Sequence, residues 1–244
     1  MKNILKSEIY KLKNSSYYWI INVSIAVVII FYCVYLRFFN DMDRVILISN
    51  SIPSKFNLII NVLMIFSFIY QEEYQYDTLK NSVILTGNKT SIFFGKQIVQ
   101  SLIVILSYTM VLLLFLLSIL VFKKGSDYSF AQVESLVIYF AILIPIILRA
   151  LAFLNVITIL GKNDYVIFAV YLIIVNFSDI FLSLASSVFQ KLEFLREYTI
   201  QSQVNQIIGM NMNGNEIVKT LVVNLGVFTL YSIMSVILYK RSEV

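Results

Sequence analysis

Residues 97–122 read QIVQSLIVILSYTMVLLLFLLSILVF, with Lys96 before them, Lys123 after them and no charge between. A helix rises about 1.5 Å per residue and the hydrocarbon layer is about 30 Å thick, so about 20 apolar residues cross it. This stretch is long enough, and an apolar face on every side suits lipid rather than the half-wet surface of a soluble domain. The same pattern recurs on either side. Residues 14–36, between Lys13 and Arg37, and residues 220–239, between Lys219 and Lys240, also carry no charge. Residues 56–71, between Lys55 and Glu72, are shorter and reach a crossing when Ile52 and Pro53 extend them or the charged ends snorkel. Residues 135–160 and 165–186 each hold one charge, Arg149 and Asp179. None of these runs alternates polar with apolar residues as a barrel lumen requires. The expected fold is therefore all-α, a polytopic membrane protein with six transmembrane helices over 17–38, 53–71, 97–122, 134–160, 165–186 and 219–239.

Composition agrees. The 244 residues are 59% apolar and only 14% charged, with mean hydropathy +0.82. That excludes a disordered or ordinary soluble chain and leaves little sequence for a separate soluble domain, so 1–244 is expected to form one transmembrane unit. The absence of His removes Ser-His catalysis and His-ligated zinc, and the single Cys33 cannot form an intramolecular disulfide. No catalytic residue and no metal ligand set emerges. A net charge of +5 in so apolar a chain points to anionic lipid headgroups rather than nucleic acid. Six of the seven glycines (Gly87, Gly95, Gly125, Gly161, Gly209 and Gly214) fall in or beside connectors, where chain breakers belong.

An even number of crossings puts both termini on one side. Lys2, Lys6, Lys11 and Lys13 form the densest basic cluster ahead of a span, which favours cytoplasmic termini. The first apolar run is too long for a signal peptide and lacks a small-residue cleavage site after it. Within 1–15, Leu5, Ile9 and Leu12 share one helical face and Lys2, Lys6 and Lys13 another. Two readings fit, an amphipathic helix lying in the inner headgroup layer or a solvated first turn. The expected inner connector is 72–96. It opens on Gln71-Glu72-Glu73-Tyr74-Gln75-Tyr76-Asp77-Thr78-Leu79-Lys80, breaks at Thr86-Gly87-Asn88 and resumes as an apolar lead into the third span, so it reads as helix, turn, helix. Tyr76, Leu79 and Val83 form a short stripe that could enter a groove on a soluble partner or pack on neighbouring spans.

A basic amphipathic lead-in, six helices and Glu73-x-x-x-Asp77-Thr78-Leu79-Lys80 after the second one resemble the permease subunits of ABC-2 type ATP-binding cassette transporters. The likeness runs over nearly the whole chain. In that family an acidic residue, three variable positions, usually Gly-Thr, an apolar-basic pair and a later lysine open the region that docks on the ATPase; Asp77 stands here where Gly is usual, and Lys96 is the later lysine. The resemblance implies a cytoplasmic coupling helix between spans two and three, with Glu72, Glu73, Tyr76, Asp77, Thr78, Leu79, Lys80 and Val83 as ATPase-coupling residues. It also implies re-entrant-like outer helices within 187–218, where Leu192, Leu195 and Tyr198 would face the membrane and Arg196, Glu197 and Gln201 water. The implied partners are ABC ATPase subunits that hold ATP and Mg, and a second permease subunit, identical or not. No Gly-x-x-x-x-Gly-Lys-Ser/Thr loop occurs in this chain, so it binds no cofactor of its own in the usual way. The compact, His-free form looks most like bacterial permeases that export bacteriocins, lantibiotics or staphylococcal cytolytic peptides. That implies the bacterial cytoplasmic membrane and an amphipathic peptide substrate. Export of drugs or lipids, and a non-transporting immunity or scaffold role, stay open beside it. Glu72-Glu73 also suggests a membrane protease, but with no His that reading is poor.

Arg149 stands thirteen residues before Lys162, about 20 Å inside the boundary. A charge at that depth costs about 2.5–3.5 kcal/mol on translocon scales and usually faces the bundle interior. Asp179 and Asn176 on the next helix are its expected partners, in a structural ion pair first and a substrate contact second. Pro145, one turn earlier, frees a carbonyl that the guanidinium or a water could satisfy. Tyr17, Tyr18 and Trp19 suit an interfacial belt. Phe31, Tyr35 and Phe66 are candidates for a lateral substrate path, against the plainer reading that they meet lipid.

Overall fold

The computed structural model describes residues 2–14, 16–39, 88–121, 130–161, 164–208 and 213–241. They form α1 (Lys2–Lys13), α2 (Ser16–Phe39), α3 (Lys89–Val121), α4 (Phe130–Leu160), α5 (Asp164–Val188), a 3-10 turn (Gln190–Leu192), α6 (Glu193–Arg196), α7 (Ile200–Ile208) and α8 (Gly214–Arg241). Among the described residues there is no strand. Four helices are long and apolar enough to cross a membrane: Lys89–Leu114, Val137–Leu160, Val166–Val188 and Gly214–Arg241. Helix α2 coincides with the first expected crossing and carries a shorter apolar stretch, Tyr18–Phe31. The expected crossing at 53–71, Phe66 and the coupling residues Glu72, Glu73, Tyr76, Asp77, Thr78, Leu79, Lys80 and Val83 lie outside the described residues.

Helix α4 is the hub. Its apolar residues surround it on all sides, so it can be covered on all sides. Ile146, Ala150 and Ala152 are fully buried, and 56% of its spanning window lies inside the bundle against 17% for α5 and 22% for α8. Those two outer helices present Ile173, Phe177, Phe181 and Leu184, and Val222, Leu230 and Ile233, outward, where lipid is the natural cover. Pairings fix the directions. Gln100 meets Asn155 and Tyr108 meets Phe140, while Phe93 meets Tyr239 and Gln97 meets Ser232, so α3 runs antiparallel to both α4 and α8. Phe153 packs on Tyr231, and Arg149 meets Asn224, so α4 and α8 are parallel.

Local chemistry sets the breaks. Asn88 Oδ1 accepts from the backbone N–H groups of Thr90 and Ser91 at 3.0 and 3.3 Å, capping α3 eight residues ahead of the expected start at 97. Buried Ile92 and Phe93 hold that extra length, Lys96 is buried within it, and Gln97 is buried at its end. The indole of Trp19 donates to the Lys13 carbonyl at 3.1 Å, pinning the break between α1 and α2. Between α4 and α5 the chain needs glycine for space. A Cβ on Gly161 would lie 2.6 Å from Ile167 Cγ1 and 3.3 Å from the Ile157 carbonyl oxygen.

Helix α1 packs on α3 through Leu5 of the apolar face read from the sequence, joined by Ile4 and Glu8. Ile4, Leu5 and Glu8 turn inward and Glu8 is buried, whereas Ile9 is exposed. A Cβ on Gly95 would come within 2.8 Å of Ile4 Cγ2, so the two backbones approach closely there. Glu8 keeps a cation, Lys11, at 3.1 Å.

Candidate functional site: a polar seam and a strap

Four side-chain hydrogen bonds stitch α3, α4, α7 and α8 together inside a largely apolar bundle. Gln97 Nε2 donates to Ser232 Oγ at 2.6 Å between α3 and α8. Asn155 Nδ2 donates to Gln100 Oε1 at 3.0 Å between α4 and α3, both residues buried. Midway along the spanning part of α4, Arg149 Nη1 donates to Asn224 Oδ1 on α8 at 3.1 Å and to Gln203 Oε1 on α7 at 3.4 Å. Asn155 is about 9 Å beyond Arg149 along α4, and Ser232 is about 12 Å beyond Asn224 along α8. The contacts thus form a seam from mid-depth toward the end where Gly161 turns the chain. Amide and hydroxyl pairs of this kind hold helices together where lipid gives no hydrophobic drive between them.

At the opposite end the connection from α5 to α8 folds back as a strap. Thr199 Oγ1 accepts from the Ser202 backbone N–H at 3.1 Å and caps α7. From there Ile200, Val204 and Ile207, at helical spacing, enter the main core with Val204 fully buried, and Gln203 goes in with them. Two ion pairs hold the outside of the strap. Arg196 Nε donates to Asp179 Oδ1 at 2.8 Å, and Lys219 Nζ lies 3.6 Å from Glu197 Oε2. Arg196 is exposed, and the hydrogen bond and charge of Asp179 hold its guanidinium above the ordinary value. Asn213 at the start of α8 donates its backbone N–H to Glu216 Oε2 at 3.0 Å, half of a capping box.

These partners replace the expected pair. Arg149 is joined by Gln203 and Asn224 rather than by Asp179 and Asn176, because α7 and α8 pack against the face of α4 that carries it. Asp179 sits on the outer helix and takes Arg196, and Asn176 Nδ2 donates to the Leu172 carbonyl at 3.0 Å on its own helix. Helix α4 runs unbroken through Pro145, and the guanidinium donates to side chains rather than to the carbonyl freed one turn earlier. In the strap, the inward face is Ile200, Gln203, Val204 and Ile207, while Leu195 is exposed. Phe31 and Tyr35 share one face of α2 and are exposed, 71% and 54%. The seam residues Gln97, Gln100, Asn155, Gln203, Asn224 and Ser232 escaped a reading that divided the chain by charges. For Gln97, Gln100, Asn155 and Asn224 the available signal was a neutral amide inside an apolar run.

The matched segment includes α1 through most of α5. The family described as "ABC-2 family transporter protein" matches residues 4–179, well over half of the chain. The chain belongs to the ABC-2 transporter family. It is thus a multi-pass membrane component of an ABC transporter, a kind of permease whose ATPase activity belongs to a separate subunit. ABC-2 permeases generally partner with ABC ATPase subunits. No curated protein matches the chain. In this ABC-2 permease Arg149 lies within the matched residues and both of its acceptors lie beyond them, so the node ties the family segment to the strap and the last helix.

Proposed function

We propose that this permease is the membrane-spanning subunit of a bacterial ABC exporter for amphipathic, antimicrobial or cytolytic peptides. It crosses the cytoplasmic membrane six times with both termini inside, pairs with a second permease subunit, and couples to its ATPase through residues 72–96. ATP and Mg bind on the ATPase. The observation that carries this reading is the polar seam at membrane depth within a chain of the ABC-2 family. Polar side chains placed at such depth mark paths for polar cargo and moving helix contacts.

The distribution of charge supports the orientation. Helix α1, the start of α3 and the end of α8 share the Gly161 end, which gathers Lys6, Lys11, Lys13, Lys89, Lys240 and Arg241. The strap end mixes Lys191, Arg196 and Lys219 with Glu193, Glu197 and Glu216. An excess of basic residues marks the cytoplasmic side.

The test is detergent purification of the tagged chain from its native cell, with mass spectrometry of the proteins that come with it. Wild type is expected to bring down a soluble protein bearing a nucleotide-binding loop, and Glu73→Arg to lose it. Recovery of no ATPase under mild conditions would overturn the reading. Vesicles holding the recovered complex should then accumulate an amphipathic peptide only with ATP.

A further inference from the structure

Arg149 uses its guanidinium unevenly. Both hydrogen bonds leave from Nη1, and their acceptors are neutral amide oxygens. Nε is buried with no hydrogen-bond partner, and among the described residues Nη2 makes no hydrogen bond either. The ion pairs among the described residues are Lys11–Glu8, Arg196–Asp179 and Lys219–Glu197, none of which reaches Arg149. A guanidinium stays charged in a protein and presents Nε and Nη2 as a planar two-pronged edge that matches the two oxygens of a carboxylate or phosphate. A buried cation held by amides alone is solvated but not neutralised. Gln203 and Asn224 fix the far corner of the group and so aim the open edge.

Resting on the permease reading, we infer that Arg149 is the anion-recognition point of the transport path. Its Nε/Nη2 edge takes the carboxylate or phosphate of an amphiphile whose apolar part lies among the surrounding helices. The shared chemistry is an oxyanion on an apolar chain, supplied by a peptide C-terminus or by a lipid-like phosphate. The other polar contacts do not compete for it. The Gln97–Ser232 and Gln100–Asn155 pairs are neutral, and the atoms that Gln100 and Asn155 leave without a partner, Nε2 and Oδ1, belong to uncharged amides that cannot neutralise an oxyanion.

The full chain in nanodiscs of phosphatidylcholine is titrated with dodecyl phosphate, dodecanoate and the neutral dodecyl maltoside. In parallel it is titrated with one amphipathic peptide made as the free acid and as the C-terminal amide. Wild type is expected to bind each anionic probe about tenfold more tightly than its neutral counterpart. Arg149→Gln should abolish that preference, and Arg149→Lys, a point charge without the fork, should reduce it severalfold. A preference confined to the peptide acid, or to the alkyl phosphate, identifies the source of the oxyanion. Equal binding of charged and neutral probes by wild type overturns the inference, as does a preference that survives in Arg149→Gln. Should Arg149→Gln fail to fold, an undiminished preference in Arg149→Lys overturns it as well. Binding to the chain alone needs no ATPase, so a failed co-purification strikes the permease reading, whereas lost anion preference with an intact ATPase complex strikes this inference only.

Discussion

Helices α4 and α5 look alike in one dimension and differ in three. Both are long and apolar, and each carries a single charge, Arg149 or Asp179, inside its spanning stretch. In the folded chain α4 is surrounded, so its charge is met on one side by neutral amides from elements 54 and 75 residues away, and Nε keeps no partner. Helix α5 is peripheral. Its charge meets Arg196 only 17 residues on, with side chains 21% and 49% exposed. One charge therefore depends on tertiary assembly, and the other is a local clasp that water and salt can reach. The difference shows that a charge in an apolar run marks a place needing a partner, while the depth of its helix in the bundle decides what partner it gets.

Mutations can sharpen or break this contrast. Asn224→Leu should cost most, about 2–4 kcal/mol, because it leaves a buried guanidinium short of its better acceptor. Thermal unfolding of the detergent-purified protein would read it, and a change no larger than that of a surface substitution would count against the node. Gly161→Val attacks the turn joining the two helices. Its Cβ would overlap Ile167 and crowd the Ile157 carbonyl, at an expected cost of about 1–3 kcal/mol. Cysteine cross-linking between α4 and α5 should lose efficiency in that variant. Gln203→Leu removes the longer 3.4 Å bond and should cost about 1–2 kcal/mol, with faster protease cutting of the strap as α7 loosens from α4. Asp179→Asn should have the smallest effect, a slight drop in midpoint at low salt that disappears at high salt. An effect as large as that of Asn224→Leu would erase the distinction between the two helices.

A second contrast lies in α1. Its helix was legible from spacing, but its inward face only in part. Ile4 is favoured inside by the missing side chain of Gly95, on a helix about ninety residues later, and Glu8 by Lys11 one turn on. Similarly, Ile200, Val204 and Ile207 have the spacing of an inward helical face, yet the reading of 187–218 as re-entrant-like helices turned Leu192, Leu195 and Tyr198 toward the membrane and named no residue for the bundle core.

Apolar length, counted between charges, determined the helical class, the membrane setting and the approximate placement of α2, α3, α4, α5 and α8. Backbone polar groups in lipid have no partner but their own helix, so length and hydropathy suffice. Family membership was legible as well, since the recurrence of long apolar runs and the Glu73 to Lys80 pattern are linear features of the sequence. Tertiary structure alone decided which polar groups meet. Arg149 could reach several amides and acids of suitable depth, and its choice depends on the packing of α7 and α8 against α4. Helices joined by long connectors are positioned by close packing among many side chains, and that information is not contained in any one stretch of sequence.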